Sequence, residues 1–516
     1  MIFKNLKFKN FIYTVFLIIF SIVINQFYGY KGILPIDSFL VFNSGFDLLN
    51  GYYPFKDYWT IKEPFIDFIQ AFFFKIFGVS WFSYVLHASL FNCLITLSTY
   101  SILKKFNLNQ NLCLFYSFCV AILTYPTAGT PFSDHHTLIL CTISFYLFIL
   151  AIKEDKNIYW FLIPFILGCS AMSKQAPTAY VISLISVLTI IYIFFSKRLE
   201  GFYFAIFGFI VTISIFFILL FLGNIELQDF ISQYFLYPKS LGESRLDWLL
   251  PLEFKRFVWR FKLHYLSISL LIYILIKRSF SQDRLLLSDK IILIGIISFC
   301  LIIITHQLMT INAIFIYCLI PIFSGFSHAY SLKYLNKNFI SIFLIVLTIG
   351  STFYYYVNYV NNRTFMDLRN VNFEKAIDGG LIHPKLSGIK WITMFYPEDP
   401  QKEAKRLKEA IDIVSKDTTK KMLVTDYQFI SVFLNQYDFA VTRFWYDFHG
   451  YPQKNNDYFI YWKTFVLKQI KKNEIKKIYV LNPLHGEKKP LENILDQCFE
   501  KVVLTEVLYQ LDLKNC

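Results

Sequence analysis

The chain has few charged residues. Charged side chains make up 17% of its 516 residues and hydrophobic ones 56%, whereas about a quarter of the residues of a soluble protein are charged. The deficit falls mainly in the first 360 residues, where apolar runs of membrane-spanning length follow one another. These proportions exclude a wholly soluble protein and predict a membrane domain followed by a water-facing one.

Several kinds of site are also missing. The polar C-terminal part has no glycine-rich phosphate loop, and no pair of the nine cysteines of the chain has metal-ligand spacing. The net charge of +14 falls in short clusters between apolar runs, without a basic stripe interleaved with aromatic residues, so no nucleic-acid partner is expected. Seven cysteines read as small hydrophobic residues of apolar runs. Cys498 and Cys516 lie in the polar tail, and the sequence does not decide whether they form a disulfide.

The apolar runs predict about eleven transmembrane helices. The first, Phe11 to Val23, follows three lysines and lacks a small-residue cleavage site, so it is interpreted as an uncleaved span with its N-terminus in the cytoplasm. Further spans centre near residues 92, 118, 144, 165, 186, 212, 270, 298, 320 and 349.

Basic clusters fix the predicted direction of these spans. With the N-terminus inside, the cytoplasmic loops hold Lys104 and Lys105, Lys153 and Lys156, Lys197 and Arg198, Lys277, Arg278 and Arg284, and Lys333 and Lys337. This agrees with the positive-inside rule and places the C-terminus outside. Lysine-, asparagine- and isoleucine-rich usage is typical of a bacterial chain, which predicts the inner membrane and a periplasmic C-terminal segment.

Two outer loops are long, at residues 28–80 and 224–264. In the first, Pro64 to Phe77 is too short and too polar on one side to span, which predicts a helix lying in the membrane interface. Phe39 to Leu49 is predicted as a second such helix, with Asp37 or Ser38 at its N-cap.

The predicted domains are residues 1–360, a transmembrane domain that includes both loops, and residues 361–516, a small α/β domain outside the membrane. In the second, an apolar stripe from Ala404 to Val414 indicates a helix. Apolar runs at 422–424, 478–481 and 502–504 indicate short buried strands.

The first outer loop resembles that of the GT-C glycosyltransferases, in the branch of protein O-mannosyltransferases and aminoarabinose transferases. Asp37 is an acidic residue soon after the first span, and the run from Gly51 to Pro64 reads GYYPFKDYWTIKEP. The amphipathic stretch ending in Phe77-Gly78 follows. Further likenesses are Ser133-Asp134-His135-His136, Ala171-Met172-Ser173-Lys174, and Tyr317 to Pro321. The sequence departs from the pattern at Ser38, where the family often has a second acidic residue, and at Glu63, where it often has proline.

This resemblance implies an inverting glycosyltransferase that moves a sugar from a polyprenyl-phosphate donor to a lipid, glycan or protein acceptor at the outer face. One carboxylate would take the proton of the acceptor hydroxyl, for which Asp37 is the first candidate. The departing phosphate needs positive charge rather than a general acid. The family pattern points to Lys62, and Arg245 or His264 of the second long loop could add to it. Some relatives need a divalent cation and some do not.

For several other candidate site residues, the sequence allows both a structural and a functional interpretation. Asp134 could orient the acceptor, help to position the base, or cap its helix, and Lys174 could bind the carrier or extend to the membrane surface. His306 reads as a polar turn that could touch a carrier phosphate. Asp57 and Glu63 read as solvated loop charges, although both belong to the wider candidate site. His135 and His136 would point about 100° apart on a helix, which argues against a dedicated metal site.

The competing hypothesis is a transporter or flippase of a lipid-linked sugar or small solute. Transporters usually place ionisable residues near mid-membrane, whereas here the acidic residues gather at the outer ends of spans. A scaffold with no activity would leave the clustered charges of the first outer loop unexplained. The sequence therefore favours a transferase.

Overall fold

Helices dominate the fold. The computed structural model describes residues 2–246, 253–280, 285–310, 312–335, 338–435, 440–445, 450–482, 491–492, 494–495 and 498–514, with the backbone alone at 2–7 and 243–246. The helices are α1 (Ile2–Gly29), α2 (Pro35–Ser38), α3 (Leu40–Leu49), α4 (Pro64–Phe77), α5 (Trp81–Lys105), α6 (Gln110–Leu123), α7 (Ser133–Glu154), α8 (Asn157–Ser173), α9 (Gln175–Ser196), α10 (Glu200–Leu222), α11 (Leu227–Ile231), α12 (Tyr237–Leu246), α13 (Lys262–Ser279), α14 (Leu287–Met309), α15 (Leu319–Tyr334), α16 (Asn338–Tyr355), α17 (Pro400–Lys416), α18 (Phe429–Leu434) and α19 (Phe459–Lys472).

The prediction of a polytopic membrane protein is confirmed. Each of the eleven predicted span centres lies in a helix: α1, α5 to α10, and α13 to α16, with the span around α15 beginning at Ile314. Within the described ranges, eight of these helices are long and apolar enough to cross a membrane on length and composition. The other three, α6, α8 and α13, have 14, 17 and 18 residues. The N-in, C-out orientation stays a prediction.

The chain divides into two compact units. The membrane unit comprises residues 1–29, 85–218 and 245–365, and the second unit comprises residues 30–84, 219–244 and 366–516. The first outer loop therefore groups with the C-terminal segment, whereas the sequence pattern assigned it to the membrane domain. The division into a domain of residues 1–360 and a domain of residues 361–516 stays a prediction.

Local sequence explains several helix ends in the membrane unit. The Asn109 side chain accepts a hydrogen bond from the Asn111 amide and caps α6. Asp155 adopts the left-handed conformation that ends α7. Before α7, the buried Arg363 donates to the carbonyl oxygens of Pro126 (2.5 Å) and Ala128 (2.9 Å). This guanidinium fixes the turn from which α7 starts.

In the second unit, a four-stranded sheet carries the C-terminal fold. Its strands are β3 (Lys421–Thr425), β4 (Lys477–Leu481), β5 (Phe499–Val503) and β6 (Leu508–Leu513), in the order β3-β4-β6-β5. The β3–β4 pair is parallel, and β6 is antiparallel to β4 and β5. A two-stranded sheet joins β1 (Ile377–Asp378) and β2 (Lys390–Trp391). The small α/β region is confirmed, although β6 was not predicted.

The first outer loop contains both predicted helices. α4 has the predicted bounds because Pro64 occupies its first turn and Gly78 ends it. The predicted cap of the other helix is wrong. α3 begins after Phe39, which caps it without a side-chain hydrogen bond, because Pro35 starts the separate short helix α2 that contains Asp37 and Ser38.

Glycine allows a close crossing of α8 and α10 in the membrane unit. A Cβ atom at Gly208 of α10 would lie 2.2 Å from the carbonyl oxygen of Phe161 in α8. Close backbone approach at small residues is a common basis of helix packing in membranes. At Gly350 of α16, by contrast, an added Cβ atom would have no neighbouring atom within 4 Å.

We expect Gly208→Ala to lower the apparent melting temperature of the detergent-solubilised protein by several degrees. An added methyl group must separate the two backbones, and overpacking costs about 1–3 kcal/mol. Gly350→Ala is the matched control and should not destabilise the protein, since alanine is the better helix former. Equal melting temperatures for the two variants would contradict the close crossing.

Candidate active site

The C-terminal segment holds the chain on both sides of Asp37. Before it, the Gly32 amide donates to the Lys390 carbonyl (3.1 Å) and the Ile33 amide to the Ile392 carbonyl (3.1 Å). After it, the buried Phe39 ring packs on Phe429, with ring centroids 4.7 Å apart. Asp37 itself is half-buried in α2. Main-chain pairing and aromatic packing thus restrict where this carboxylate can lie.

A buried arginine of the C-terminal segment binds the loop around Lys62. The guanidinium of Arg443 donates to Glu63 Oε2 (2.7 Å), to Asp67 Oδ2 (2.5 Å) and to the carbonyl oxygen of Lys62 (3.1 Å). These three charged side chains, Arg443, Glu63 and Asp67, are at most 1% exposed. Lys62 Nζ lies 3.1 Å from Glu63 Oε1, and its side chain is 20% exposed.

The interpretation of Asp57 and Glu63 as solvated loop charges is wrong. Asp57 is buried, accepts a hydrogen bond from the Tyr53 amide (2.9 Å) and pairs with Lys472 of α19 (2.9 Å). Both acids form ion pairs with cations from the C-terminal segment, which removes them from water. Their roles as catalysts stay untested, and their contacts explain them as structural charges.

A third loop carboxylate, Asp47, lies among these charges. It accepts a hydrogen bond from Asn43 (2.9 Å). Burial and the nearby Asp67 raise its pKa to about 8, against the opposing effect of Arg443. Arg443 stays charged because Asp67 and Glu63 raise its pKa, although burial alone would lower it. Asp47 therefore holds a proton at neutral pH while Arg443 remains cationic.

The membrane unit brings two predicted site residues together. Lys174, at the junction of α8 and α9, donates to both carboxylate oxygens of Asp134 in the first turn of α7, each at 2.7 Å. Asp134 is 7% exposed and Lys174 17%. Lys174 is thus tied to a carboxylate. Asp134 is not the N-cap of α7, because Phe132 occupies that position without a side-chain cap hydrogen bond.

The two adjacent histidines point to different partners, as expected for neighbours on a helix. His135 Nε2 lies 2.8 Å from Thr127 Oγ1, and His136 Nε2 lies 2.9 Å from His87 Nε2. Among the residues that the structure describes, no group of three or more His, Cys, Asp or Glu side chains could hold a metal ion.

Of the remaining predicted site residues, two lie elsewhere in the membrane unit and one has a side chain outside the described residues. His264 is buried in α13, with Nε2 3.0 Å from the carbonyl oxygen of Ile316. His306 is buried at the end of α14, with Nδ1 3.2 Å from Gln307 Nε2. The side chain of Arg245 lies outside the described residues. A phosphate-binding role for these three residues stays a prediction.

One known protein family matches a part of the chain. Residues 62–222 match the family model of dolichyl-phosphate-mannose-protein mannosyltransferase. The predicted resemblance to GT-C membrane glycosyltransferases is confirmed. The matched segment includes Lys62, Asp134 and Lys174, whereas Asp37 precedes it. The comparison with curated proteins gives no match.

Solved structures give weak likenesses. The oligosaccharyltransferase of Archaeoglobus fulgidus, in complex with Zn and sulfate, is 12% identical with a TM-score of 0.48, covering 91% of this chain and 68% of that one. ArnT from Cupriavidus metallidurans bound to undecaprenyl phosphate is 10% identical with a TM-score of 0.47, covering 96% and 97%. Both likenesses are too weak to carry an argument about the site.

We expect Asp47→Asn to flatten the pH dependence of thermal stability. A carboxyl group with a raised pKa in the folded state loses its stabilising contribution as the pH rises from its unfolded value towards about 8. The wild type should therefore lose stability between pH 5 and 8 by up to about 1.4 kcal/mol per pH unit, and by less where water screens the partly exposed group.

Apparent melting temperatures of both proteins across this pH range make the comparison. Asp412→Asn, at an exposed position of α17, controls for the change of an acid to an amide. Parallel curves for the wild type and Asp47→Asn would show that Asp47 does not titrate in this range.

Proposed function

We propose that this GT-C protein transfers a sugar from a polyprenyl-phosphate carrier to a hydroxyl group of a lipid, glycan or protein acceptor, at the outer face of the bacterial inner membrane. The family match over residues 62–222 carries the proposal. Within that segment lie a partly exposed cation, Lys62, and the Asp134–Lys174 ion pair. Both are suited to an anionic lipid donor.

In the proposed reaction, Asp37 takes the proton of the acceptor hydroxyl. The acceptor oxygen then forms a bond to the anomeric carbon while the bond from that carbon to the phosphate oxygen breaks, which inverts the configuration. The carrier leaves as polyprenyl phosphate. Lys62 stabilises the negative charge that develops on this phosphate, so the departing group needs no proton.

Within the membrane unit, Lys174 is proposed to bind the phosphate of the carrier, with Asp134 as the residue that orients it. The bidentate contact, 2.7 Å to each oxygen, fixes the direction of a side chain that is otherwise flexible. In this role Asp134 acts through Lys174 and needs no contact with the reacting atoms.

Two observations support the proposed outer-face location. The five basic clusters alternate with the predicted spans as the positive-inside rule requires. Cys498 is disulfide-bonded, a state that persists in oxidising compartments such as the periplasm. Cys516 lies outside the described residues.

We expect Asp37→Asn to reduce sugar transfer at least about 100-fold, because general bases contribute about 10²–10⁴-fold. The assay supplies radiolabelled polyprenyl-phosphate hexoses and pentoses, with native lipid extract as a source of acceptor, to membranes containing either protein. Asp412→Asn controls for expression and for loss of a carboxylate, and a chelator arm tests for a divalent cation.

Undiminished transfer by Asp37→Asn would contradict its role as the base and would make Asp134 the next candidate. Loss of transfer in the wild type on chelation, with recovery on adding back a divalent cation, would show that the reaction uses a metal. Absence of transfer by any protein with every donor and extract would favour transport of a lipid-linked sugar over its transfer.

A further inference from the structure

The position of Arg443 in the second unit is fixed through both its main chain and its side chain. Its amide donates to the carbonyl oxygen of Trp59 (2.9 Å), and the Trp59 amide donates to the carbonyl oxygen of Val441 (2.7 Å). This short pairing places the guanidinium beside the turn that connects Lys62 to α4. Arg443 is thus built into the loop, although it lies 381 residues from Lys62 in sequence.

The turn that Arg443 contacts is strained. Glu63 has φ of +75°, in the left-handed region that residues other than glycine rarely adopt. Such a conformation persists when its surroundings hold it in place. Arg443 supplies that constraint, since it binds the carboxylate of Glu63 and the carbonyl oxygen of the preceding residue, Lys62.

Glu63 lies between two cations. Its Oε2 accepts from Arg443 (2.7 Å), and its Oε1 lies 3.1 Å from Lys62 Nζ. Because the carboxylate is 1% exposed, water cannot compensate its charge. Arg443 therefore shares the compensation of this carboxylate, and its share leaves less of the positive charge of Lys62 neutralised by Glu63.

We propose that Arg443 is a positioning residue that keeps the Lys62 ammonium available for the phosphate of the lipid-linked donor. The inference rests on the proposed function, in which Lys62 receives that phosphate. Without Arg443, Lys62 is drawn to the buried carboxylate of Glu63, and the turn that directs its side chain loses its constraint. Arginine suits this role because its planar fork reaches three acceptors, which a lysine ammonium cannot match in the same geometry.

The test uses the full-length protein in detergent and measures its affinity for undecaprenyl phosphate, with sugar transfer measured in parallel. We expect Arg443→Gln to weaken binding about tenfold, a change that corresponds to about 1.4 kcal/mol. The donor KM should rise by a similar factor and kcat should also fall, because Lys62 is proposed both to bind the donor phosphate and to stabilise the charge that develops on it.

The decisive comparison is with Glu63. Removing its charge in Glu63→Gln should tighten binding about threefold, because the carboxylate no longer competes for Lys62. In the Arg443→Gln background the same change should restore most of the lost affinity. A merely structural role for this ion pair predicts the opposite, since either substitution would then weaken binding and the double variant would be no better than Arg443→Gln.

Lys472→Gln is the matched control. It removes another cation of the C-terminal segment from a loop carboxylate, Asp57, at an ion pair that does not include Lys62. Affinity for undecaprenyl phosphate should stay unchanged. If Arg443→Gln does not fold, Arg443→Lys and Glu63→Gln carry the test, with weaker binding expected for the first and tighter binding for the second.

The outcomes separate this inference from the proposed function. A wild type that does not bind undecaprenyl phosphate, and transfers no sugar, would overturn the proposed function. A wild type that binds it, with equal affinity in Arg443→Gln, or with weaker affinity in Glu63→Gln, would overturn the positioning role of Arg443 and leave the proposed transfer standing.

Discussion

A fully buried guanidinium must be compensated by anions, and in the second unit this requirement joins distant parts of the chain. Arg443 meets Glu63 and Asp67 at 2.7 and 2.5 Å. Removing one partner of such a buried pair typically costs about 3–5 kcal/mol, because the other charge is left without compensation. The first outer loop and the C-terminal segment are therefore expected to fold together, and the residues around Lys62 owe their conformation to a segment nearly 400 residues away.

The same constraint acts in the membrane unit, where charged groups are costly. Arg363 is buried among the carbonyl oxygens of the turn before α7, and Asp134 in the first turn of α7 holds Lys174. Each charge is thus satisfied locally, by main-chain oxygens or by an opposite charge. These contacts fix the start of α7, from which Asp134 reaches Lys174.

The sequence predicts best what local patterns determine. The apolar runs located each of the eleven helices that were predicted as spans, and Pro64 and Gly78 gave the bounds of α4. Contacts between residues far apart in the sequence could not be predicted in this way. Asp57 and Glu63 looked solvated because their partners, Lys472 and Arg443, lie 415 and 380 residues away, and nothing in the sequence around Arg443 distinguishes it from a surface arginine. The pairing of Asp134 with Lys174, 40 residues apart, could not be predicted either, because it depends on how α7 packs beside the α8–α9 junction.

The most direct test of this account is whether the first outer loop contacts the C-terminal segment in the intact protein. Ser431 Oγ lies 2.6 Å from Asn43 Oδ1, so cysteines placed at both positions should be joined within one chain by a short thiol cross-linker in native membranes. A matched pair of Ser431→Cys with Asn50→Cys, at the exposed end of α3, should cross-link far less. Efficient cross-linking of the first pair alone is the predicted result. Failure of the first pair to cross-link, although both cysteines react with a thiol label, would contradict the claim that the loop folds on the C-terminal segment.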